Sequence, residues 1–232
     1  MIVIFGAGGG LGQALVHHYQ QLGEQVLAVS RQAGAAVNNV QWVQVEGYRP
    51  EQLLALVEPL TKQPIAGVIS TIGTLYSDDF MPEKRLDELV TEHLMHSYYV
   101  NAVLPLMLLQ WMKPYLPAAQ RCFWVQLSAK VGSITDNQLG GWYSYRASKA
   151  ALNMLLKTAA IELARTHKQL TLAAIHPGTT DTQLSKPFQG RLSADKLYTP
   201  QLSAQRIAQV IATLEPHVSG GLWHWDGSRL PY

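Results

Sequence analysis

The sequence predicts an α/β fold: a doubly wound, seven-stranded parallel sheet with helices on both faces. Two observations lead to it. Short, nearly continuous apolar runs rich in β-branched residues alternate with longer segments of helical period, the pattern of parallel strands buried under crossover helices. A glycine-rich turn directly follows the first apolar run, at the chain's start.

The strand candidates are Ile2–Phe5, Gln25–Val29, Gln41–Val45, Gly67–Ser70, Arg121–Leu127, Thr171–Ile175 and Gly221–Trp225. Leu11, Leu15, Tyr19 and Leu22 recur at helical spacing and stop at Gly23, a residue suited to the left-handed position after a helix. Leu152, Leu155, Leu156, Ala159 and Leu163 mark a second helical stripe. No repeat or low-complexity linker divides the chain, so residues 1–232 are expected to form one domain. The least regular stretch, Thr182–Thr199, has the length of a substrate-covering loop.

Composition narrows the function classes. Of 232 residues 47% are hydrophobic and 15% charged, enough apolar surface for one large core. A net charge of +2 without a basic run argues against nucleic acid or an anionic membrane surface as partner. Cys122 is the single cysteine, expected in a buried strand; it leaves no intrachain disulfide or cysteine cluster, and a reducing, cytoplasmic setting fits. The opening Met1–Phe5 is expected to be a strand and not a leader. The longest apolar stretch, Val100–Leu109, falls short of the roughly 20 residues of a membrane helix and is interrupted by Pro105. His17 and His18 lack neighbouring ligands, so no metal site is expected and both should face solvent.

Three motifs carry chemistry. In Gly6-Ala-Gly8-Gly-Gly10-Leu11-Gly12, between first strand and first helix, glycines permit a tight turn and let the backbone approach a pyrophosphate that the helix N-terminus would bind. The second strand ends in Ser30-Arg31 where an acidic residue would favour NAD; a cation suits a 2′-phosphate, so NADP(H) is favoured over NAD(H). Tyr145 and Lys149, four apart on a helix, share a face, so the ammonium should pull the phenol pKa down toward working pH and make it a proton donor and acceptor.

The glycine turn, Asn101 in Tyr-Val-Asn-Ala, the Tyr145/Lys149 pair and Pro177-Gly178 occur in the order and spacing of the short-chain dehydrogenase/reductase family, which the whole chain resembles. Leu127–Ile134 followed by Gly140–Asn153 resembles its branch of C-factor and sniffer-like carbonyl reductases. The resemblance implies a Rossmann-like fold. It also implies a tetrad in which Tyr145 is the acid and base, Lys149 lowers its pKa and binds nicotinamide ribose, Asn101 supports a water-linked relay, and a serine holds the substrate carbonyl. Thr182 is then placed to bond the carboxamide, and Pro177-Gly178 to close over the nicotinamide.

Two departures stand out. Relatives carry a Ser-Ser pair whose second member is catalytic, whereas this chain has Ser128-Ala129. Ser128 is one place early, which reverses side-chain direction along an extended chain; it is the first candidate and Ser133 the second. Ser70-Thr-Ile-Gly73 replaces the family's Asn-Asn-Ala-Gly, though Gly73 still permits close backbone approach. His176 is expected to be a strand-end residue with satisfied hydrogen bonds. The expectation is an NADP(H)-dependent oxidoreductase acting on a small-molecule carbonyl or alcohol, with an apolar lining from Leu184, Pro187, Phe188 and Leu192. The alternative is a nucleotide-binding signalling protein with incidental turnover. Family members often pair through the helices holding Asn101 and Tyr145, which implies a homodimer or homotetramer.

Overall fold

In a computed structural model, which describes residues 1–35 and 37–232, the expected strands assemble within about a residue of their sequence boundaries. They are β1 (Ile2–Phe5), β2 (Val26–Ser30), β3 (Val40–Gln44), β4 (Gly67–Ser70), β5 (Cys122–Leu127), β6 (Leu170–His176) and β9 (Gly221–His224), all parallel. An eighth strand, β10 (Arg229–Leu230), pairs antiparallel to β9 at the edge, giving the order β10-β9-β6-β5-β4-β1-β2-β3. Two residues are too short to show a periodicity. They follow a turn at Gly227, whose φ of 87° suits glycine.

Alternation along each strand sends side chains to opposite faces. Ile2 and Ile4 of β1, with Val125 and Ile175, pack under α1 (Gly10–Gln21) and α6 (Pro200–Thr213), which contribute Leu11, Leu15, Ile207 and Val210. Val3 and Phe5, with Trp124 and Leu172, pack under α4 (Leu104–Met112) and α5 (Tyr143–Leu163), which contribute Leu108, Met112, Leu152 and Leu156. The short α2 (Val57–Lys62) closes the same face with Leu60. Cys122 is buried in β5, where desolvation pushes its thiol up to about 12.

Helix α3 (Thr91–Tyr98) runs into α4 through one π turn, Tyr99–Val103, centred on Asn101. Such turns are rare and recur at functional positions. Pro105, which has no N–H, cannot donate to the Asn101 carbonyl four residues earlier, so the sequence itself loosens the ladder there.

The segment 182–199 consists of two 3-10 turns, Lys186–Arg191 and Ala194–Lys196, and is tied at its base by a small parallel ribbon of β7 (Thr179–Thr180) and β8 (Leu197–Tyr198). It ends at Thr199, whose hydroxyl caps α6 by accepting from the Leu202 N–H at 3.2 Å. The strand order reverses between β1 and β4, and in open α/β sheets the crevice beyond the carboxyl ends at that point is where ligands bind. Among the described residues, no helix is long and apolar enough to cross a membrane, and no group of three or more His, Cys, Asp or Glu side chains is placed to hold a metal. His17 is exposed and His18 half-buried against Tyr19.

Candidate active site

A cleft of about 410 Å³ opens at that reversal, between the ends of β1, β4, β5 and β6. Its floor at one end is backbone. Gly9, Gly10, Leu11 and Gly12 line it, and α1 begins there with no side-chain cap, so first-turn N–H groups lack a side-chain acceptor. The glycines are required sterically. A Cβ on Gly12 would lie 2.3 Å from the Gly6 carbonyl oxygen, and one on Gly6, whose φ is 78°, would lie 2.5 Å from Thr71 Oγ1. One on Gly8 would lie 2.4 Å from Ser30 Oγ, the hydroxyl that accepts from the Gln32 N–H at the end of β2. Only a bare backbone makes this turn, and it leaves Gly9 and Gly10 facing the cleft. The residues therefore fit a dinucleotide whose pyrophosphate meets the helix N-terminus. Arg31 stands exposed beyond Ser30, with its carbonyl accepting from Gln44 Nε2 at 3.1 Å.

Midway along the cleft the predicted reactive side chains come together. Tyr145 and Lys149 are buried on the first two turns of α5, with Lys149 Nζ 5.8 Å from the tyrosine ring centre. Lys149 Nζ donates to the Leu127 carbonyl at 3.1 Å. Fully buried Asn101 donates to the Thr74 carbonyl at 2.9 Å and accepts from the Thr74 N–H at 2.8 Å, so it clamps the chain just past Gly73. Its Nδ2 also donates at 3.0 Å to Ser148 Oγ, which itself donates to the Tyr145 carbonyl at 2.8 Å. Ser148 thus ties the asparagine to the tyrosine's own turn. A Cβ on Gly73 would lie 3.3 Å from Asn101 Oδ1, a slightly tight contact, and 3.5 Å from Lys149 Nζ, an ordinary one, so this strand end lies directly against both groups.

Electrostatics differ from the sequence expectation. The lysine was expected to lower the tyrosine's pKa, but burial pushes the Tyr145 phenol above its ordinary value and lowers Lys149 to about 8. Desolvation outweighs a cation at that separation that is already engaged by a carbonyl. Tyr145 is therefore a protonated phenol at neutral pH, in the form that donates.

The two candidate serines point away from the tyrosine. Ser128 follows β5 with its N–H bonded to the Ile175 carbonyl, and its hydroxyl donates to Asn153 Oδ1 at 2.8 Å. Ala129, next along, packs with Leu75 and Tyr145. Ser128 lines the cleft, yet its hydroxyl is committed to α5 and does not bond Tyr145, because the extended chain turns successive side chains apart. Ser133 is buried and bonded to Thr135 and the Asp136 N–H, outside the cleft lining. The hydroxyl expected beside Tyr145 is thus replaced by the Ala129 methyl. His176 is also a correction: it lines the cleft and packs 5.5 Å from His224, but its buried Nδ1 has no partner among the described residues. Burial and the neighbouring His224 hold it down at about 3, so it stays neutral.

Pro177, Gly178 and Thr182 line the far wall. Gly178 has a φ of 75°, and a Cβ there would strike Tyr198 and Trp225. Thr182 comes close enough to Gly10 that a Cβ on that glycine would lie 3.2 Å from its methyl, so the loop reaches across to the glycine turn. Beyond Tyr145 the walls are apolar: Leu75, Ala129, Val131 and Leu192, with Trp142 and Phe188. Leu184, Phe188 and Leu192 were expected there, whereas Pro187 does not reach the lining. Leu75, Trp142 and Ser148 were not foreseen; the glycine pair before Trp142 was the available signal for the second.

The chain matches the short chain dehydrogenase family model over residues 1–192. It belongs to that family. The 1-hydroxy-2-glutathionyl-2-methyl-3-butene dehydrogenase of Rhodococcus sp. is 28% identical over 236 residues, covering 100% of this chain and 99% of its own. The NADPH-bound carbonyl reductase from chicken fatty liver superimposes with a TM-score of 0.85 at 25% identity, covering 100% and 98% of the two chains. The carbonyl reductase Sniffer of D. melanogaster gives 0.84 at 24%, again over 100% and 98%, a likeness that speaks for the fold. The protein is thus an oxidoreductase of the short-chain dehydrogenase type with a nicotinamide cofactor.

Proposed function

We propose that the protein is an NADP(H)-dependent reductase of aldehydes or ketones, with the reverse oxidation at the same site. The observation that carries this reading is the meeting of Tyr145 and Lys149 in one cleft whose other end is the uncapped glycine turn, with Asn101 buried behind them and tied to the tyrosine's turn through Ser148. Arg31, with no carboxylate at the end of β2, supports the 2′-phosphorylated cofactor, as does the NADPH bound to the chicken carbonyl reductase.

The bound dinucleotide supplies the hydride. The chain's residues do the rest. Gly10, Leu11 and Gly12 present the N–H groups of α1 to the pyrophosphate, while Gly73, Pro177, Gly178 and Thr182 line the nicotinamide end. Tyr145 donates its phenolic proton to the carbonyl oxygen as negative charge develops there. Lys149 lies where it can bond the nicotinamide ribose, and Asn101 supports a water-linked relay that returns a proton to Tyr145. Burial of Tyr145 and Ala129 keeps other water off the reacting atoms. We read the chain as one cytoplasmic domain with 182–199 as substrate loop. We read it as a homodimer or homotetramer through α3 and α5, where Met95, Tyr98, Met154 and Ile161 are exposed. Light scattering checks the assembly.

The test is NADPH absorbance in the presence of a panel of aldehydes and ketones. Loss of absorbance that depends on both protein and carbonyl supports the reading. No loss across the panel from a protein that binds NADPH contradicts it.

A further inference from the structure

Three consecutive residues enter α5 in the left-handed region: Gly140 and Gly141, each at a φ of 64°, and Trp142 at φ 53°, ψ 44°. The glycines adopt this conformation freely, but a tryptophan does so only when its surroundings hold it there. The surroundings are built for it. Arg146 Nε donates to the Gly141 carbonyl at 3.0 Å. Glu83, buried on the loop before α3, accepts the Trp142 N–H on its carbonyl, the Ser144 N–H on one carboxylate oxygen at 3.1 Å and the Ser144 hydroxyl on the other.

The result is to stand the Trp142 indole over the proton donor. Its ring lies edge to face with Tyr145 at 6.1 Å and with Phe188 of the substrate loop at 5.0 Å, and Phe188 meets Tyr76 at 5.9 Å. Strained residues beside a reactive group mark places where conformation serves function. Among the described residues lining the cleft, Lys149 is the one side chain that carries charge, and it is turned to the Leu127 carbonyl. A site whose described lining has an aromatic wall and no carboxylate or guanidinium suits flat, uncharged apolar groups.

We propose that Trp142 is the specificity-determining residue of this site, with Glu83 as its positioning residue, and that the substrate carbonyl bears an aromatic or comparably flat apolar group held against Trp142 and Phe188. This rests on the carbonyl-reduction reading and extends it to a substrate class.

The probes are 2-naphthaldehyde, propanal and the anion glyoxylate, each with NADPH. The wild type is expected to show a kcat/KM for naphthaldehyde at least about tenfold above propanal, with glyoxylate poorest. Trp142→Gly keeps the left-handed backbone while removing the wall. It should lower kcat/KM for naphthaldehyde about tenfold or more, mainly through KM, and change propanal less than about threefold. Trp142→Phe should retain most of the preference. Glu83→Ala should reproduce the KM effect without weakening NADPH binding, and Glu83→Gln, which keeps an acceptor for Ser144, should restore it. An unchanged naphthaldehyde-to-propanal ratio in Trp142→Gly overturns the assignment, and an equal loss for both substrates in Glu83→Ala removes Glu83 from it. Binding of 2-naphthalenemethanol to the NADPH complex, followed by saturation-transfer NMR, separates the two levels. If the wild type reduces nothing but binds this alcohol and Trp142→Gly does not, the aromatic site stands while the reduction reading fails. If neither form binds it, the aromatic site fails.

Discussion

The two ends of the cleft are built by different means. At the cofactor end the surface is backbone: Gly6, Gly8 and Gly12 sit where any Cβ would strike a neighbour, and α1 opens without a cap. At the substrate end it is side chain: Ala129 and Leu75 against Tyr145, with Trp142 and Phe188 beyond. A backbone surface tolerates no added atom, because it is closed by the chain itself at Gly12 and by the Thr71 and Ser30 hydroxyls at Gly6 and Gly8. A side-chain surface can be remodelled one group at a time, so chemistry common to a family and selectivity particular to one member can occupy a single cleft.

That contrast sets the order of expected effects. Gly12→Ala places a methyl 2.3 Å from a backbone oxygen that has nowhere to retreat, so α1 must shift. NADPH affinity should fall by about 100-fold or more, a few kcal/mol of lost helix-terminus contact, read by fluorescence titration. If Gly12→Ala binds NADPH normally, the turn is not the cofactor seat.

Lys149 tests the junction of the two ends. Lowered to about 8 by burial from an ordinary 10.5, it is deprotonated in the folded protein between pH 8 and 10 while the unfolded chain still binds the proton. Stability therefore rises with pH across that window, by roughly 2 kcal/mol from this group. Cys122 and Tyr145, pushed up by burial, act in the opposite sense above about pH 9 and 10. The informative quantity is thus the difference between wild type and Lys149→Met in urea denaturation at pH 8 and 10. The wild type should gain relative to the variant, and a flat difference contradicts the buried, deprotonating lysine. Lys149→Met should also weaken NADPH binding.

Arg31→Ala should erase most of an expected tenfold or greater preference for NADPH over NADH, leaving NADH affinity nearly unchanged. Equal affinities in the wild type would break the reading of the β2 end. The smallest effects belong to the hydroxyls. Because the Ser128 hydroxyl is held by Asn153, Ser128→Ala should cost turnover less than about threefold, on the scale of one neutral hydrogen bond. Ala129→Ser puts a hydroxyl beside Tyr145 and should raise kcat. A large loss in Ser128→Ala with no gain in Ala129→Ser would show that the serine swings to the substrate.

Legibility in the sequence followed the same division. The glycine turn, the strands and the Tyr145/Lys149 pair were readable because each depends on local rules of period and sterics, and the strand boundaries moved by about a residue. β10 was not readable, being two residues long. Side-chain direction at the end of β5 could be posed as a question but not decided, since it depends on how the chain leaves the strand. Nor could the lysine's effect on the tyrosine be fixed from spacing: four residues set a shared face, while burial and the Leu127 carbonyl set the pKa values. Trp142 was signalled only by the glycine pair before it, because a left-handed tryptophan is disfavoured locally and is held here by Glu83, 59 residues earlier in the chain and joined to it only by folding.

The most direct test of the central claim is the rate at which Tyr145→Phe consumes NADPH with a carbonyl that the wild type reduces. The phenylalanine ring keeps the packing on Trp142 and Ala129 and removes only the proton donor. The expected result is a turnover lower by a factor of about 10² to 10⁴, with NADPH affinity and thermal stability close to wild type. A variant that turns over at the wild-type rate would contradict the assignment of Tyr145 as the acid.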